Sequence, residues 1–335
     1  MKNVLYVGNA LSNKGKTVTT IETLGDHLNE ISTIKIASNK SNKTLRLLDM
    51  VKLVLLNRKS TDLVLIDTYS TTNFYYALII SQLCRILKNK YIPILHGGNL
   101  EKRLKSNPKL SKLIFENAHR LVAPSNFLKT VFRSYGYNNV VHIPNTIEID
   151  AYQFKSRPID TLKLLWVRSF ASIYNPQLAL NVLESLLNKG LKAQLTMVGP
   201  DVDGSLEKVK NLSKRKKLDV NFTGKLSKQQ WIALSNDHNI FINTTNFDNT
   251  PVSVIEAMAL GLPVVSTNVG GLPFLISHNE EALLVPPNNI EAMSKAIVKL
   301  KKDKNLKSKL ITNARYKAEQ FDWDVVKSRW IDLLS

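Results

Sequence analysis

Residues 243–268 read NTTNFDNTPVSVIEAMALGLPVVSTN, and this stretch most strongly constrains the fold. A β-branched strand ends near Thr244, a turn follows, a helix is expected over residues 251–260, and LPVVSTN forms the next strand. Thr250 is a favoured N-cap, and Pro251 suits the first helical position because the missing N–H has no intrahelical partner there. The stretch therefore predicts a strand, helix and strand of a parallel α/β sheet.

The same alternation continues on both sides of this stretch. KNVLYVG at 2–8 and LVLIDTY at 63–69 are typical strands, and amphipathic segments follow them. The rhythm breaks at 147–160, which is polar and irregular, and TLKLLWV at 161–167 restarts it. The pattern predicts two Rossmann-like domains whose sheets face each other across an interdomain cleft, with ligands beyond the carboxyl ends of the strands. We expect an N-terminal acceptor-binding domain over 1–153, a C-terminal donor-binding domain over 154–316, and a terminal helix over 317–335 that packs back toward the N-terminal domain.

Composition limits the classes of protein that fit. The 335 residues are 44% hydrophobic, which suits two packed domains. The longest apolar runs, such as 75–83, are too short to span a bilayer, and we see no signal-peptide pattern. The single cysteine, Cys84, lies in an apolar run and is expected to be a buried small hydrophobe. These features favour the cytoplasm.

The chain is strongly basic, with a net charge of +19. Residues 1–150 hold 21 Lys and Arg against 10 Asp and Glu, a balance of +11, and the other 185 residues carry the remaining +8. Such charge attracts nucleic acid, anionic membranes or phosphorylated substrates, although abundant solvated lysine explains it equally well. A nucleic-acid partner is not expected, because no recognised module or aromatic-basic pattern accompanies the charge.

The predicted helix at 251–260 has features of a ligand site. The free amides of its first turn and the positive end of its dipole suit a diphosphate. Asp248 lies in the loop before the helix and Glu256 nearly two turns into it, so their carboxylates could bind hydroxyls at two ends of an extended ligand. Asp248 could instead only shape the turn. The neighbours of Glu256 are mostly apolar, and a carboxylate among them is costly without a partner.

These motifs resemble glycosyltransferase family 4, a family of group 1 glycosyltransferases with the GT-B fold. The family pattern is an acidic residue, seven residues, Glu and then a motif that here reads AMALGLPVV. The resemblance covers nearly the whole chain. It implies that Glu256 holds the ribose hydroxyls and that Asp248 contacts the transferred sugar. The residues implied to cradle the sugar and diphosphate are Asn249, Thr250, Pro251 and Val252.

The resemblance implies further site residues. LLWVRSF places Arg168 on the diphosphate, but the lysine that usually follows is missing from ASIYNP, so Lys225 is a candidate to share that task. ILHGGNL places His96 over the donor sugar, although a lone histidine after an apolar strand is commonly structural. MVGP, FTGKL and the glycines after LPVVSTN match segments around the nucleotide and phosphates, which adds Gly199, Gly224, Leu226, Gly270 and Gly271.

A P-loop-type nucleotide hydrolase is the alternative function. ALSNKGKT at 10–17 fits a relaxed phosphate-binding pattern with Ala10 in place of the first glycine, and LVLID at 63–67 resembles a magnesium-binding acidic strand. Within the GT-B interpretation, Gly15 lets the same loop approach the donor phosphates or the acceptor, and Lys16 adds charge. This interpretation is preferred because it also explains the second domain.

The resemblance implies a retaining, metal-independent transferase with no cofactor, which uses a UDP- or GDP-sugar. The expected acceptor is a glycan or a polyprenyl-diphosphate-linked sugar in cell-surface polysaccharide biosynthesis. Peripheral attachment to an anionic membrane at the inner face of the cell is an open alternative to a purely cytoplasmic location.

Overall fold

The computed structural model describes residues 1–11, 19–97 and 99–335, which fold into two compact units. The first unit is Met1–Thr146 with Trp323–Ser335, and the second is Ile147–Asp322. The first boundary thus lies before residue 147, whereas the sequence places it after 153. Ile147 and Tyr152 are buried in a hydrophobic cluster of the second unit, and the Ile147 amide donates to the Phe321 carbonyl at 2.9 Å. These contacts explain why 147–153 folds with the second unit.

The first unit contains a parallel sheet of six strands among the described residues, in the order β2-β1-β3-β4-β5-β6. Its strands are β1 (Asn3–Val7), β2 (Thr33–Ala37), β3 (Leu63–Thr68), β4 (Tyr91–Leu95), β5 (Leu121–Ala123) and β6 (Val140–His142). The helices between them are α1 (Thr20–Leu28), α2 (Lys43–Asn57), α3 (Asn73–Ile86), α4 (Leu100–Ser106), α5 (Pro108–Phe115) and α6 (Asn126–Ser134). Helices α2 to α6 share one hydrophobic cluster with the sheet.

The second unit repeats this architecture. Its described strands form a six-stranded parallel sheet in the order β12-β11-β10-β7-β8-β9. The strands are β7 (Leu162–Val167), β8 (Ala193–Val198), β9 (Val220–Gly224), β10 (Ile240–Asn243), β11 (Val264–Thr267) and β12 (Leu283–Val285). The helices are α7 (Pro176–Asn188), α8 (Ser205–Arg215), α9 (Lys228–Ser235), α10 (Val252–Ala259), α11 (Leu272–Leu275), α12 (Ile290–Lys302) and α13 (Lys304–Glu319).

The last helix, α14 (Trp323–Leu334), completes the first unit. Its apolar side is buried in a second cluster of that unit, together with residues of α1 and the sheet. Trp323 also stacks on His27 of α1, with ring centroids 4.6 Å apart. The helix therefore starts six residues after the predicted position 317, because α13 continues to Glu319 and the chain then turns at Phe321.

These sheets confirm the predicted α/β class. Continuous apolar strands such as β3 are buried along their whole length, as expected when helices cover both faces of a parallel sheet. Cys84 is fully buried in the first unit, and burial raises the pKa of its thiol to about 12. Its interpretation as a small core hydrophobe is confirmed.

Candidate functional site

Helix α10 of the second unit begins one residue later than predicted. Thr250 is not the N-cap: Pro251 takes that position with an extended backbone (φ −70°, ψ 109°), and the helix begins at Val252. The Asp248 carbonyl accepts a hydrogen bond from the Gly271 amide at 2.9 Å. This bond joins the turn before α10 to the loop after β11. The backbone therefore stays extended at Pro251, and helical geometry begins only at Val252.

The first turn of α10 has unused hydrogen-bond donors. The Pro251 carbonyl accepts from Val254 at 3.0 Å and Ile255 at 3.4 Å, while the Val252 and Ser253 amides have no acceptor among the described residues. Pro251 has no side-chain oxygen to cap them, and the buried Ser253 hydroxyl lacks a hydrogen-bond partner as well. Free amides at the positive end of a helix dipole favour an anionic ligand.

Gly270 and Gly271 support the turn that precedes this helix. A Cβ atom at Gly271 would lie 1.8 Å from the Asn249 carbonyl oxygen, and one at Gly270 would lie 2.2 Å from that of Asp248. Gly270 also has a left-handed backbone with φ of +54°. Glycine is required at both positions because the backbones touch. Their expected contact with phosphates stays a prediction.

Arg168 and Asp248, which were predicted to bind different parts of the donor, contact each other. The Arg168 guanidinium forms an ion pair with the Asp248 carboxylate and lies over the Tyr174 ring, 4.1 Å from its centroid. Burial lowers the pKa of Arg168, and the neighbouring Tyr174 opposes that shift. Its Nε is buried without a hydrogen-bond partner. Arg168 therefore retains a donor that a phosphate oxygen could satisfy.

Glu256 has the partners that its apolar helix requires. The side chain is buried, and the Tyr152 hydroxyl donates to Oε1 at 2.7 Å. The Lys228 ammonium lies 2.7 Å from the same oxygen. Burial and the negative charge of Glu256 raise the pKa of Tyr152 well above its usual value. Since both partners contact Oε1, Oε2 is the oxygen left to accept hydrogen bonds from a ligand.

Tyr152 and Lys228 are the functional candidates that the sequence did not reveal. The Ser227–Gln230 capping box fixes the start of α9 and so places Lys228 at its first position. Tyr152 stands in the irregular stretch 147–160, 104 residues from Glu256. Local sequence patterns predict where α9 starts, but they do not show that the Glu256 carboxylate lies beside its first residue.

Four predicted residues lie where strands β8 and β9 end. Gly199 donates from its amide to the Gly224 carbonyl at 2.9 Å, and a Cβ on Gly199 would lie 1.9 Å from the Arg168 carbonyl oxygen. This close approach holds the ends of three neighbouring strands together. Lys225 is exposed, and Leu226 is half-buried against the core of the second unit. Their predicted contacts with the nucleotide stay predictions.

His96 belongs to a buried polar cluster of the first unit. Its Nε2 lies 2.7 Å from Asp67 Oδ1, which also accepts a hydrogen bond from the Tyr6 hydroxyl at 2.9 Å. Tyr69 stacks on the imidazole with centroids 4.7 Å apart. His96 Nδ1 has no hydrogen-bond partner among the described residues and is the ring atom available to a ligand. The predicted role of His96 over the donor sugar stays a prediction.

The Asp67 cluster also bears on the hydrolase alternative. Asp67 was the proposed magnesium-binding carboxylate, but it is buried and its Oδ1 already accepts from two neighbours. A Cβ on Gly8 would lie 2.5 Å from Oδ2, so backbone covers the other oxygen. This geometry favours a structural carboxylate. Gly15 and Lys16 of the relaxed phosphate-binding pattern lie outside the described residues.

Among residues 1–11, 19–97 and 99–335, no helix is long and apolar enough to cross a bilayer. In the same ranges, no three side chains of His, Cys, Asp or Glu come together as metal ligands.

Comparison with known families assigns the second unit to one of them. The family model of the group 1 glycosyl transferases matches residues 149–317, half of the chain. The chain belongs to the group 1 glycosyl transferases. The match contains Arg168, Asp248 and Glu256, and it ends within α13.

The relatives of this group 1 glycosyl transferase are distant. It is 27% identical over 221 residues to an uncharacterized glycosyltransferase of Haemophilus influenzae, covering 64% of this chain and 61% of the relative. It is 21% identical over 266 residues to the putative colanic acid biosynthesis glycosyltransferase WcaL of Escherichia coli, covering 74% and 65%. The chain thus spans less than two thirds of the length of these curated relatives.

Solved structures resemble the group 1 glycosyl transferase over its whole length. The Anabaena protein Alr3699/HepE in complex with UDP matches 100% of this chain and 99% of its own, with a TM-score of 0.80 and 18% identity. Sucrose-phosphate synthase of Thermosynechococcus elongatus matches 100% and 98%, with a TM-score of 0.80 and 16% identity. At these identities the likeness concerns the fold, and it confirms the predicted GT-B class with two Rossmann-like domains.

Proposed function

We propose that this group 1 glycosyl transferase transfers a sugar from a nucleotide-diphosphate sugar to an acceptor hydroxyl. One observation carries the proposal: the largely buried Arg168, whose buried Nε has no hydrogen-bond partner, forms an ion pair with Asp248 in the turn that leads into the first turn of α10. A cationic fork and free helix amides are the groups that a diphosphate requires.

The donor would fit this site in an extended pose. Its diphosphate would take the Val252 and Ser253 amides and the free donors of Arg168. The ribose hydroxyls would donate to Glu256, whose Oε2 has no protein donor among the described residues. Asp248 would exchange its ion pair with Arg168 for hydroxyls of the transferred sugar. The diphosphate would supply the negative charge that Asp248 gives to Arg168 before the donor binds.

The proposed reaction is retaining and needs no metal ion. The acceptor oxygen bonds to the anomeric carbon on the face from which the nucleotide leaves. The bond from that carbon to the diphosphate oxygen breaks, and the diphosphate takes the acceptor proton. The cation and the helix amides stabilise the charge that develops on the leaving group, so positioning and electrostatics supply the catalysis.

Relatives and neighbours suggest the first substrates to try. Alr3699/HepE has been crystallised with UDP and with UDP-glucose, which supports a UDP-sugar ahead of a GDP-sugar. WcaL is named for colanic acid biosynthesis, which supports a glycan or polyprenyl-diphosphate-linked acceptor in surface polysaccharide assembly. We place the reaction in the cytoplasm, where nucleotide-sugars are the expected donors.

Thermal unfolding in the presence of nucleotides tests donor binding. UDP or GDP without added metal should raise the melting temperature, because a ligand that binds only the folded state stabilises it by mass action. ATP with Mg²⁺ should have little effect. Stabilisation by ATP with Mg²⁺ and none by UDP or GDP would reject the proposal in favour of the nucleotide hydrolase.

Turnover identifies the donor. Each UDP- and GDP-sugar is incubated with the protein, and release of UDP or GDP is followed with and without lipid-linked acceptors. One donor should be consumed well above the others, and consumption should rise when the right acceptor is present. Equal, slow hydrolysis of every nucleotide tested, including ATP, would contradict a transferase.

A further inference from the structure

Helix α2 of the first unit presents leucines to solvent as well as to the core. Leu45, Leu48, Leu55 and Leu56 are 57%, 58%, 41% and 69% exposed. The inward side of the same helix buries Met50 and Val54 in the hydrophobic cluster. A surface helix of a globular protein ordinarily carries polar residues on its outer side. The exposed leucines therefore indicate an interaction surface on the outer side of α2.

The exposed leucines share one face with one lysine, and a second lysine follows the end of the helix. At about 100° per residue, Leu45, Leu48, Lys52, Leu55 and Leu56 fall within an arc of about 100° on the helix surface. Lys59 lies in the turn after Asn57, the last residue of α2. We call these six residues the α2 stripe. Lys52 and Lys59 are exposed, so their ammonium groups are free to extend past the leucines. The stripe is thus an apolar band with positive charges along it.

The neighbouring helix extends the apolar surface. Helix α3 packs against α2 on the same side of the sheet. Its outward residues Tyr75, Ile79 and Ile86 are 44%, 41% and 77% exposed. Scattered exposed hydrophobics are common, but two adjacent helices with apolar outer sides form a patch of the kind that marks an interaction surface.

Charge decides what kind of partner fits. Residues 40–59 contain six Lys and Arg and one acidic residue, Asp49, whose carboxylate accepts a hydrogen bond from Ser38. The whole first unit holds 23 Lys and Arg against 10 Asp and Glu, a balance of +13. A second copy of this chain would bring two such positive surfaces together, which like-charge repulsion opposes. An anionic partner is complementary.

We propose that the α2 stripe docks the protein on an anionic lipid surface. The four leucines would enter the boundary between headgroups and acyl chains, with α2 lying in the plane of the interface. Lys52 and Lys59 would lay their aliphatic stems along the apolar band and place their ammonium groups among the lipid phosphates. The inference rests on the first unit alone and holds whatever donor the second unit binds.

Vesicle co-sedimentation of the full chain tests the proposal. The vesicles are phosphatidylcholine alone and phosphatidylcholine mixed with phosphatidylglycerol, each at low and high salt. The wild-type chain should sediment with the mixed vesicles at low salt and much less with the neutral ones. The double variant L48S/L56S should bind the mixed vesicles at least about tenfold more weakly, because two leucines no longer leave water.

Two controls separate the stripe from general effects. Val202→Ser changes a side chain of the second unit whose exposed fraction, 67%, is similar to the 69% of Leu56, and it should leave vesicle binding unchanged. K52E/K59E should lose the preference for phosphatidylglycerol while keeping its melting temperature, because both lysines are exposed. Light scattering of each variant reports the oligomeric state.

Three outcomes would overturn the proposal. The first is failure of the wild-type chain to bind mixed vesicles at low salt. The second is equal binding by wild type and L48S/L56S when both have the same melting temperature. The third is a wild-type dimer that L48S/L56S converts to a monomer without any vesicle binding, which would assign the stripe to a second copy of the chain.

Discussion

Two buried carboxylates, Asp67 in the first unit and Glu256 in the second, are built in nearly the same way. Each accepts a hydrogen bond from a buried tyrosine hydroxyl, Tyr6 at 2.9 Å and Tyr152 at 2.7 Å. The same oxygen of each carboxylate lies 2.7 Å from a side-chain nitrogen. Burial and the adjacent carboxylate raise the pKa of both tyrosines.

The difference lies in the nitrogen partner and in the second oxygen. His96 is buried with Asp67, whereas the Lys228 side chain is 56% exposed. Asp67 Oδ2 is buried without a partner beneath Gly8. Glu256 Oε2 is not buried in that way. The Asp67 carboxylate is therefore closed to ligands and should mainly stabilise its unit, whereas the Glu256 carboxylate is open and should mainly serve a ligand.

Asp67→Ala should give the largest change in stability. It leaves the Tyr6 hydroxyl and His96 Nε2 unpaired in the core, which costs about 3 kcal/mol in the free energy of unfolding of the first unit. Calorimetry that resolves the two units measures the loss. Asp62→Ala removes an exposed carboxylate that accepts from the Asn3 amide at 2.8 Å, and it should cost far less. Equal effects of the two substitutions would contradict a closed, stabilising cluster.

Glu256→Ala should give the largest change in activity. Loss of the ribose hydrogen bonds should lower kcat/KM for the nucleotide-sugar by about a hundredfold or more, since charge-assisted hydrogen bonds are worth about 1.5–3 kcal/mol each. The fold should persist, because Lys228 can turn to water and the Tyr152 hydroxyl is the one buried donor that loses its described partner. Initial rates against donor concentration, with circular dichroism, give both quantities. Near-normal turnover would remove Glu256 from the donor site.

The two tyrosines form a matched pair of conservative substitutions. Tyr6→Phe should cost the first unit about 1 kcal/mol and leave donor affinity unchanged, because it removes one hydrogen bond from the closed cluster. Tyr152→Phe should instead raise the KM for the donor by up to about tenfold, because Glu256 loses the group that orients it. If both variants change stability alone, the two clusters do not differ in function.

Lys228→Met should give the smallest effect. The Lys228 side chain is 56% exposed, and the Tyr152 hydroxyl still donates to the buried Glu256 in this variant. The free energy of unfolding should therefore fall by no more than about 1 kcal/mol. The KM for the donor should change a few-fold at low salt and less at high salt, as expected for a screened interaction. Lys225→Met is the matched control: if Lys225 helps to neutralise the diphosphate, it should lower kcat instead. Identical kinetics for the two variants would show that Lys225 and Lys228 do not have different roles in donor binding.

Much of the fold follows from local sequence. Continuous β-branched runs mark buried parallel strands, and β3 and β7 lie where LVLIDTY and TLKLLWV predict them. Ser227 and Gln230 mark the start of α9, because a capping box needs only neighbouring residues. Helix α2 has no counterpart among the predicted elements. Its leucines point both inward and outward, which blurs the single apolar face that reveals a surface helix.

The candidate site divides in the same way. The spacing of Asp248 and Glu256 around a helix start is written in one short segment, and so is the need of Glu256 for a partner among apolar neighbours. The identity of that partner cannot be read from the same segment, because Tyr152 and Lys228 come from distant parts of the chain. The ion pair of Arg168 with Asp248 joins two strand ends, and its geometry depends on the sheet order.

The sequence by itself determined the alternating α/β elements, the basic character of the first unit and the residue types that a donor site needs, because these depend on composition and on neighbours in the chain. Only the tertiary structure decided that α10 starts at Val252, that Gly271 backs the Asn249 carbonyl, and that Asp67 is closed while Glu256 is open. Those features depend on contacts between backbones and side chains that are far apart in the sequence, and local sequence patterns do not report such contacts.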